Sequence, residues 1–438
     1  MLSKGITILT AGFFVYLLIY SLVSGLPSDL TLATRLLFGI ISFIILLSLK
    51  IHFPYTKEFL LAVASTLLML WVVEFYLDYS TGSGFELRPM IEAAEREGIP
   101  FDTRTKKEVI EDLRSVGVGA YSNFVGSELL DERSLYPLNG TSLTPTLTCN
   151  ELGEWITYPT DEHGFNNPLG LWSEDSIQIV SIGDSFTWGH CVTQDKSIPG
   201  LLRTQYPGSL NLGVPGTGSL KQLTIMREYL GELNPARVLW FYWEGNDLRN
   251  LSSEIRNSVF RRYLDDADYT QRLYSQQEAL DAKVKRLLDQ EIVEERKRVK
   301  LREVFFLSEI RGIIRSTLRK PIDCDVPDSL MAQFQETISK GKDHVDTWEG
   351  ELYFVYLPSW TRYGNPEIRT CHGLWNPLYT YPEILSIAEE GGVKIIDLVP
   401  IFLAHPDPLS LFTFRLDGHY DEEGYQLVAE AVLEALGD

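Results

Sequence analysis

Five short stretches of the chain are apolar almost without interruption: residues 177–182 (IQIVSI), 210–214, 238–243 (VLWFYW), 352–357 (LYFVYL) and 393–398 (VKIIDL). A strand with one wet face alternates apolar and polar residues, whereas a strand covered on both faces reads as a continuous apolar run. Helical patterns fill most of the intervals, for example at 222–233 and 382–390. Strands buried on both sides and alternating with helices predict an α/β fold, a doubly wound parallel sheet of five strands. One interval breaks the rhythm. Residues 251 to about 342 are rich in Glu, Lys, Arg and Leu, which predicts a solvated helical insertion. Such an insertion at the C-terminal edge of a sheet can also serve as a lid, or as an arm for an envelope-assembly protein.

The N-terminal 77 residues obey a different rule. Residues 5–25 contain no charge, and a membrane span needs roughly 20 such residues. Residues 36–49 and 59–77 are further apolar runs, giving three expected transmembrane helices, or two if the shorter run does not cross. A cleaved signal peptide is the competing reading, but the first run is long for one and no small-residue cleavage site follows it. Lys4 precedes the first run, while Lys50 and Lys57 lie between the second and third. With those on the cytoplasmic side, everything after about residue 78 is expected outside the cytoplasm, in a bacterial-type cell the periplasm. The domain plan is then a membrane anchor at 1–77, a linker and extension at 78–150 in which no chemistry is legible, and an α/β domain at 151–438 carrying the insertion. Helical signals within the extension fall at 90–97 and 105–116.

Formal charge is −21 over the chain. The anchor nets +1, so the acidity belongs to the remainder, which excludes a nucleic-acid binder. Four cysteines, Cys149, Cys191, Cys324 and Cys371, are an even set in a part expected to face an oxidising space. Cys149 with Cys191 is the first expected pair because both flank the first core strand, although four cysteines allow three connectivities and free buried thiols are the alternative. No Cys/His spacing suits a metal, and neither metal nor cofactor is expected.

The chemistry-bearing residues cluster just after the strands. Gly183-Asp184-Ser185-Phe186-Thr187-Trp188-Gly189 follows the first, Asn211 to Gly218 (NLGVPGTG) the second, Glu244-Gly245-Asn246-Asp247 the third, and Asp417-Gly418-His419 precedes an amphipathic terminal helix. Each alone is an ordinary turn. Together they supply what acyl transfer needs, since a serine hydroxyl requires a base within hydrogen-bond reach and the developing oxyanion requires fixed donors. Ser185 is the expected nucleophile, His419 the base and Asp417 the acid that orients it. The amides of Ser185 and Gly216 and the Asn246 side chain form the expected oxyanion hole. Trp188 and Asp184, beside the nucleophile, are candidate substrate contacts. His190, Glu244 and Asp247 are read as supporting residues, and His163 as a turn cap or a ligand contact.

These four blocks resemble those of the SGNH (GDSL-type) hydrolases, and they occur in that family's order over about residues 177–425. The resemblance implies the flavodoxin-like SGNH fold, ester-linked acyl substrates, an acyl-serine intermediate and no metal, with Ser185, Gly216, Asn246 and His419 as the four eponymous residues. The usual last block is Asp-x-x-His, whereas this chain has Asp-x-His, a spacing similar to that of alginate acetyltransferase-like members acting on exported polysaccharides. Three functions are therefore expected in turn: an esterase removing acyl groups, O-acetyl above all, from a cell-envelope or exported glycan; an O-acyltransferase acting on an exported polysaccharide; and a membrane-tethered scaffold without catalysis.

Overall fold

A computed structural model of the protein describes residues 69–73, 87–297 and 326–437, apart from 124, 127–128, 174–176, 232 and 365–376. The expected membrane spans, the 298–325 part of the insertion, Cys324 and Cys371 lie outside the described residues. Among the described residues no helix is long and apolar enough to cross a membrane. Gly82–Val299 and Leu318–Asp438 form one compact unit.

The extension opens with helices α1 (Arg88–Glu97) and α2 (Lys106–Ser115). Thr105 starts α2 with a capping box: its hydroxyl accepts the Glu108 N–H at 3.2 Å, and the Glu108 carboxylate accepts the Thr105 N–H at 2.7 Å. A small sheet follows, in which β2 (Pro145–Leu147) pairs in parallel with β1 (Tyr121–Ser122) and antiparallel with β3 (Thr157–Pro159). Ser142 is tied to Asp281 through both its amide and its hydroxyl, and Tyr136 and Leu138 are buried in the main core. The stretch expected as linker is thus folded onto the α/β domain.

All five apolar runs are strands of one parallel sheet: β4 (Ile179–Ile182), β5 (Ser209–Asn211), β6 (Arg237–Trp243), β7 (Glu351–Leu357) and β8 (Lys394–Asp397). Their order is β5-β4-β6-β7-β8, so the chain reverses its direction of travel across the sheet at β4. Alternate residues feed two separate cores. Val180, Ile182, Trp240, Tyr242, Phe354 and Tyr356 point to one face, and Ile179, Leu239, Phe241, Tyr353, Val355 and Leu357 to the other. The first face is covered by α5 (Ser219–Tyr229) and by α9 (Asp328–Asp346), the second by α4 (Ile198–Leu202) and α13 (Glu422–Ala435). Between these lie α3 (Ser185–Trp188), α6 (Asp247–Glu254), α7 (Ser258–Asp265), α8 (Gln277–Lys297), α10 (Thr361–Gly364), α11 (Pro377–Glu390) and α12 (Val399–Ala404).

The interval at 251–342 departs from the expected solvated insertion. Helix α9 is a sheet-covering helix, with Phe334 and Ile338 fully buried, and Leu280, Val284 and Leu288 of α8 also enter the core. Charged residues hid these faces because each helix exposes a wet stripe beside its buried one.

Candidate active site

Strand β4 ends in the middle of the sheet, at the point where strand order reverses. Open α/β sheets place reactive groups there, beyond the carboxyl ends of the strands. The Asp184 carboxylate accepts the Phe186 N–H at 2.9 Å and so caps the short helix that carries Ser185. Burial raises the Asp184 carboxyl to about 6, against the pull of that amide bond and of His419. On one side, the turn after β5 is laced to β4 by Val214 N–H to Gly183 O at 2.9 Å and by the Thr217 hydroxyl to the same oxygen at 3.2 Å. A Cβ on Gly213 would stand 2.5 Å from the Trp188 amide nitrogen, so only glycine lets the turn pack this closely. Gly216, at φ +70°, is exposed with open space where a Cβ would stand. On the other side, Asn246 follows β6 and starts α6. Its side chain makes no capping bond there, which leaves the carboxamide free to serve as a donor. Of the three expected oxyanion donors, Gly216 and Asn246 therefore flank the nucleophile strand from its two neighbouring strands.

The hydrogen-bonded line through the site is short. The Ser185 hydroxyl lies 2.8 Å from His419 Nε2, and His419 Nδ1 lies 2.7 Å from Glu151 Oε1. The second Glu151 oxygen accepts the backbone N–H of His419 at 2.9 Å. Glu151 is thus the acid that orients the base, and the assignment of that role to Asp417 is corrected. Asp417 is solvent-exposed and makes no hydrogen bond to the His419 ring. The residue between them explains the geometry. A Cβ at Gly418 would come within 3.0 Å of Glu151 Oε2 and 2.9 Å of Met90 Cε. The bare glycine admits the carboxylate to the histidine from the extension side.

Electrostatics follows the same line. Burial disfavours the Glu151 carboxylate, but the His419 charge and the hydrogen bonds from His419 outweigh it and hold the carboxyl down at about 2. Burial also works against charging His419, yet Glu151's charge and hydrogen bond raise it above the ordinary histidine value. The imidazolium that forms when histidine takes the serine proton is therefore stabilised in place. The imidazole is packed between Phe186, with ring centroids 4.8 Å apart, and His190, at 4.5 Å. Burial and the nearby His419 keep His190 neutral.

Glu151 reaches the site through a disulfide. Cys149, two residues before it, is bonded to Cys191, six residues after Ser185, and Cys191 Sγ lies 3.9 Å from His419 Nδ1. Two clusters of metal-type donors occur here, Cys149 with His190 and Cys191, and Glu151 with Cys191 and His419. Both draw on a disulfide sulfur, and the second also on the triad, so neither is a free donor set.

Two substrate-contact assignments are corrected as well. Trp188 is 1% exposed, edge-on to Tyr158, and belongs to the core. Asp184 is equally buried, and its Oδ1 caps the nucleophile's helix. Of the bystanders, Glu244 anchors β7 through Arg362, the Tyr356 hydroxyl and the Ser359 amide, and Asp247 accepts the Trp243 N–H at 3.2 Å. His163 bonds Gln277 and stacks on Tyr274.

Serine, histidine and glutamate in one hydrogen-bonded line, with donors on both flanks, form a site of the nucleophilic-serine class. No family model matches the chain, and no curated protein does. Among solved structures, the chain is similar to a lipolytic protein of the G-D-S-L family from Desulfitobacterium hafniense, at 17% identity over 59% of this chain and 99% of that one, with a TM-score of 0.33. It is also similar to a lipase/acylhydrolase from Enterococcus faecalis, at 11% identity over 59% and 94% with a TM-score of 0.34. An acetyl xylan esterase gives 13% identity over 59% and 100%, with a TM-score of 0.33.

Proposed function

We propose that the protein is a serine esterase that removes acyl groups, O-acetyl first among them, from a cell-envelope or exported glycan. The observation that carries the reading is the continuous path from Ser185 Oγ through the His419 ring to Glu151, at 2.8 and 2.7 Å. In the first half-reaction His419 Nε2 takes the Ser185 proton as Oγ bonds to the ester carbonyl carbon. The resulting oxyanion accepts hydrogen bonds from the Ser185 and Gly216 amides and from the Asn246 carboxamide. Collapse breaks the bond to the alcohol, whose oxygen receives the proton from His419 and leaves the acyl group on Ser185. Water, deprotonated by His419, then attacks the acyl-serine, and the serine recovers its proton as the acid departs. Glu151 keeps its negative charge throughout and steadies the imidazolium.

The long apolar stretches of residues 1–77 support a membrane-tethered protein, and the Cys149–Cys191 disulfide supports catalysis in an oxidising compartment outside the cytoplasm. The test is a burst assay on the full-length protein with p-nitrophenyl acetate and with an O-acetylated oligosaccharide. Ser185-dependent release of acetate and fluorophosphonate labelling of Ser185 are expected, both lost in Ser185→Ala. Turnover that survives in Ser185→Ala sinks the reading. Acetyl groups appearing on an added unmodified oligosaccharide, in place of free acetate, redirect it to transfer.

A further inference from the structure

A cleft of about 400 Å³ is lined by Gly216, Lys221, Asn250, Glu254 and Asn257 together with the apolar Leu130 and Phe260. Lys221 is the unusual member. It sits in the first turn of α5, where the helix presents its unpaired amides and a positive end, so a cation there opposes the helix dipole. Glu254, which lines the same cleft, acts on it through its charge but forms no ion pair with it. Glu254 spends its two oxygens on the helix backbone, accepting the Gly218 N–H at 2.6 Å and the Lys221 N–H at 3.0 Å. Among the described residues no carboxylate forms an ion pair with the Lys221 ammonium. Burial pulls that ammonium down to about 8, with the charge of Glu254 opposing the fall, and at neutral pH it remains a cation. In a chain of net charge −21 an exposed ion pair would have been easy to supply. Partly buried cations without a partner cost stability, and such local conflicts concentrate where a ligand completes them.

We propose that this cleft is the subsite for an anionic group on the alcohol part of the acylated substrate, a carboxylate or a phosphate, which pairs with Lys221 while the ester carbonyl lies against Gly216 and Asn246. The proposal rests on the serine-esterase reading and narrows it from any acyl ester to one built on an acidic alcohol, such as an acetylated uronic-acid sugar or an acetylated glycerol phosphate. The amides of Asn250 and Asn257 in the same cleft already donate to the Thr217 carbonyl and the Tyr136 hydroxyl, each at 3.3 Å, so Lys221 is the group that selects the ligand.

The test compares three acetyl esters on the full-length protein: a neutral oligosaccharide, an oligouronate and glycerol phosphate. The quantity read is the ratio of kcat/KM for each anionic ester to that for the neutral one. Lys221→Met is expected to lower that ratio at least tenfold through KM, and Lys221→Arg to restore most of it. The uronate and phosphate arms separate the two sources of negative charge. Calorimetric titration of the anionic esters into Ser185→Ala, with and without Lys221→Met, reads the subsite independently of turnover. If no ester is hydrolysed, the esterase reading fails while the titration still reports on the cleft. A ratio unmoved by Lys221→Met, together with unchanged binding, overturns the subsite. A melting temperature lowered by Lys221→Met also counts against it, because an unpaired cation kept for a ligand stabilises nothing in its absence.

Discussion

The chemistry of this site turns on which carboxylate faces a single histidine. Glu151 holds both the ring nitrogen and the backbone amide of His419, so it fixes tautomer and orientation together. Glu151→Gln is expected to reduce kcat by about 10²–10⁴ with little change in KM, by analogy with the loss of an orienting carboxylate in serine proteases. Asp417→Asn is expected to cost less than a few-fold. The sign of the pH effect follows from the same contact. Because Glu151 raises His419, the base is neutral only above that raised value, so the acid limb of kcat/KM should move to lower pH in Glu151→Gln as the rate falls. A limb that stays in place would show that Glu151 does not set the protonation of His419. Ser185 and His419 were readable in the sequence because serine after a buried strand and a histidine before a terminal helix have few other uses in combination. Glu151 was not readable. It stands 268 residues from its partner in a stretch without motif, and the Asp-Gly-His spelling pointed to the neighbouring carboxylate instead. Trp188 misled for the opposite reason, since adjacency to a nucleophile in sequence says nothing about which side of the turn a ring occupies.

Among the elements, the five strands were legible because burial on both faces leaves an apolar signature no loop imitates. In the extension at 87–150 the two helices were legible, at 88–97 and 106–115, but the sheet was not, its strands being two and three residues long. Yet the triad acid, Glu151, is the first residue after this extension, and the Cys149–Cys191 bond fastens the extension's end to the segment that follows the nucleophile. Closing a separation of 42 residues is worth about 4 kcal/mol in the chain-entropy estimate. The double variant Cys149→Ser/Cys191→Ser should therefore melt lower and, at a temperature where it remains folded, show reduced kcat with KM retained. Chemical unfolding and steady-state rates on the same preparation check both parts. Full kcat in the folded variant would mean that the extension holds Glu151 in place without the covalent link.

For the whole molecule, buried acids set the response to pH. Burial raises Asp161 and Asp184 to about 6 and lifts Asp247 well above the ordinary carboxylate value. A carboxyl whose folded value lies above its unfolded one favours the folded state at low pH, and that stability is lost as pH rises from about 4 towards 6. Glu151, held at about 2, acts in reverse: its stabilisation is present above the unfolded value near 4.5 and is lost as pH falls towards 2. Thermal stability is thus expected to peak at about pH 4–5 and to decline towards neutrality, where the net charge of −21 also repels itself. Melting curves from pH 3 to 8 test this, and a maximum at pH 7 or above would contradict it. The distances along the chain carry one more consequence, in the order of assembly. Glu151 and Ser185 belong to neighbouring segments that one short loop can bring together, whereas His419 must travel back over 234 residues. Closing that larger loop costs more chain entropy and waits on the last strand of the sheet. The nucleophile and its acid can meet early on the folding path, but the proton acceptor between them arrives only when the fold is complete, so a half-folded chain carries a serine that is not yet reactive.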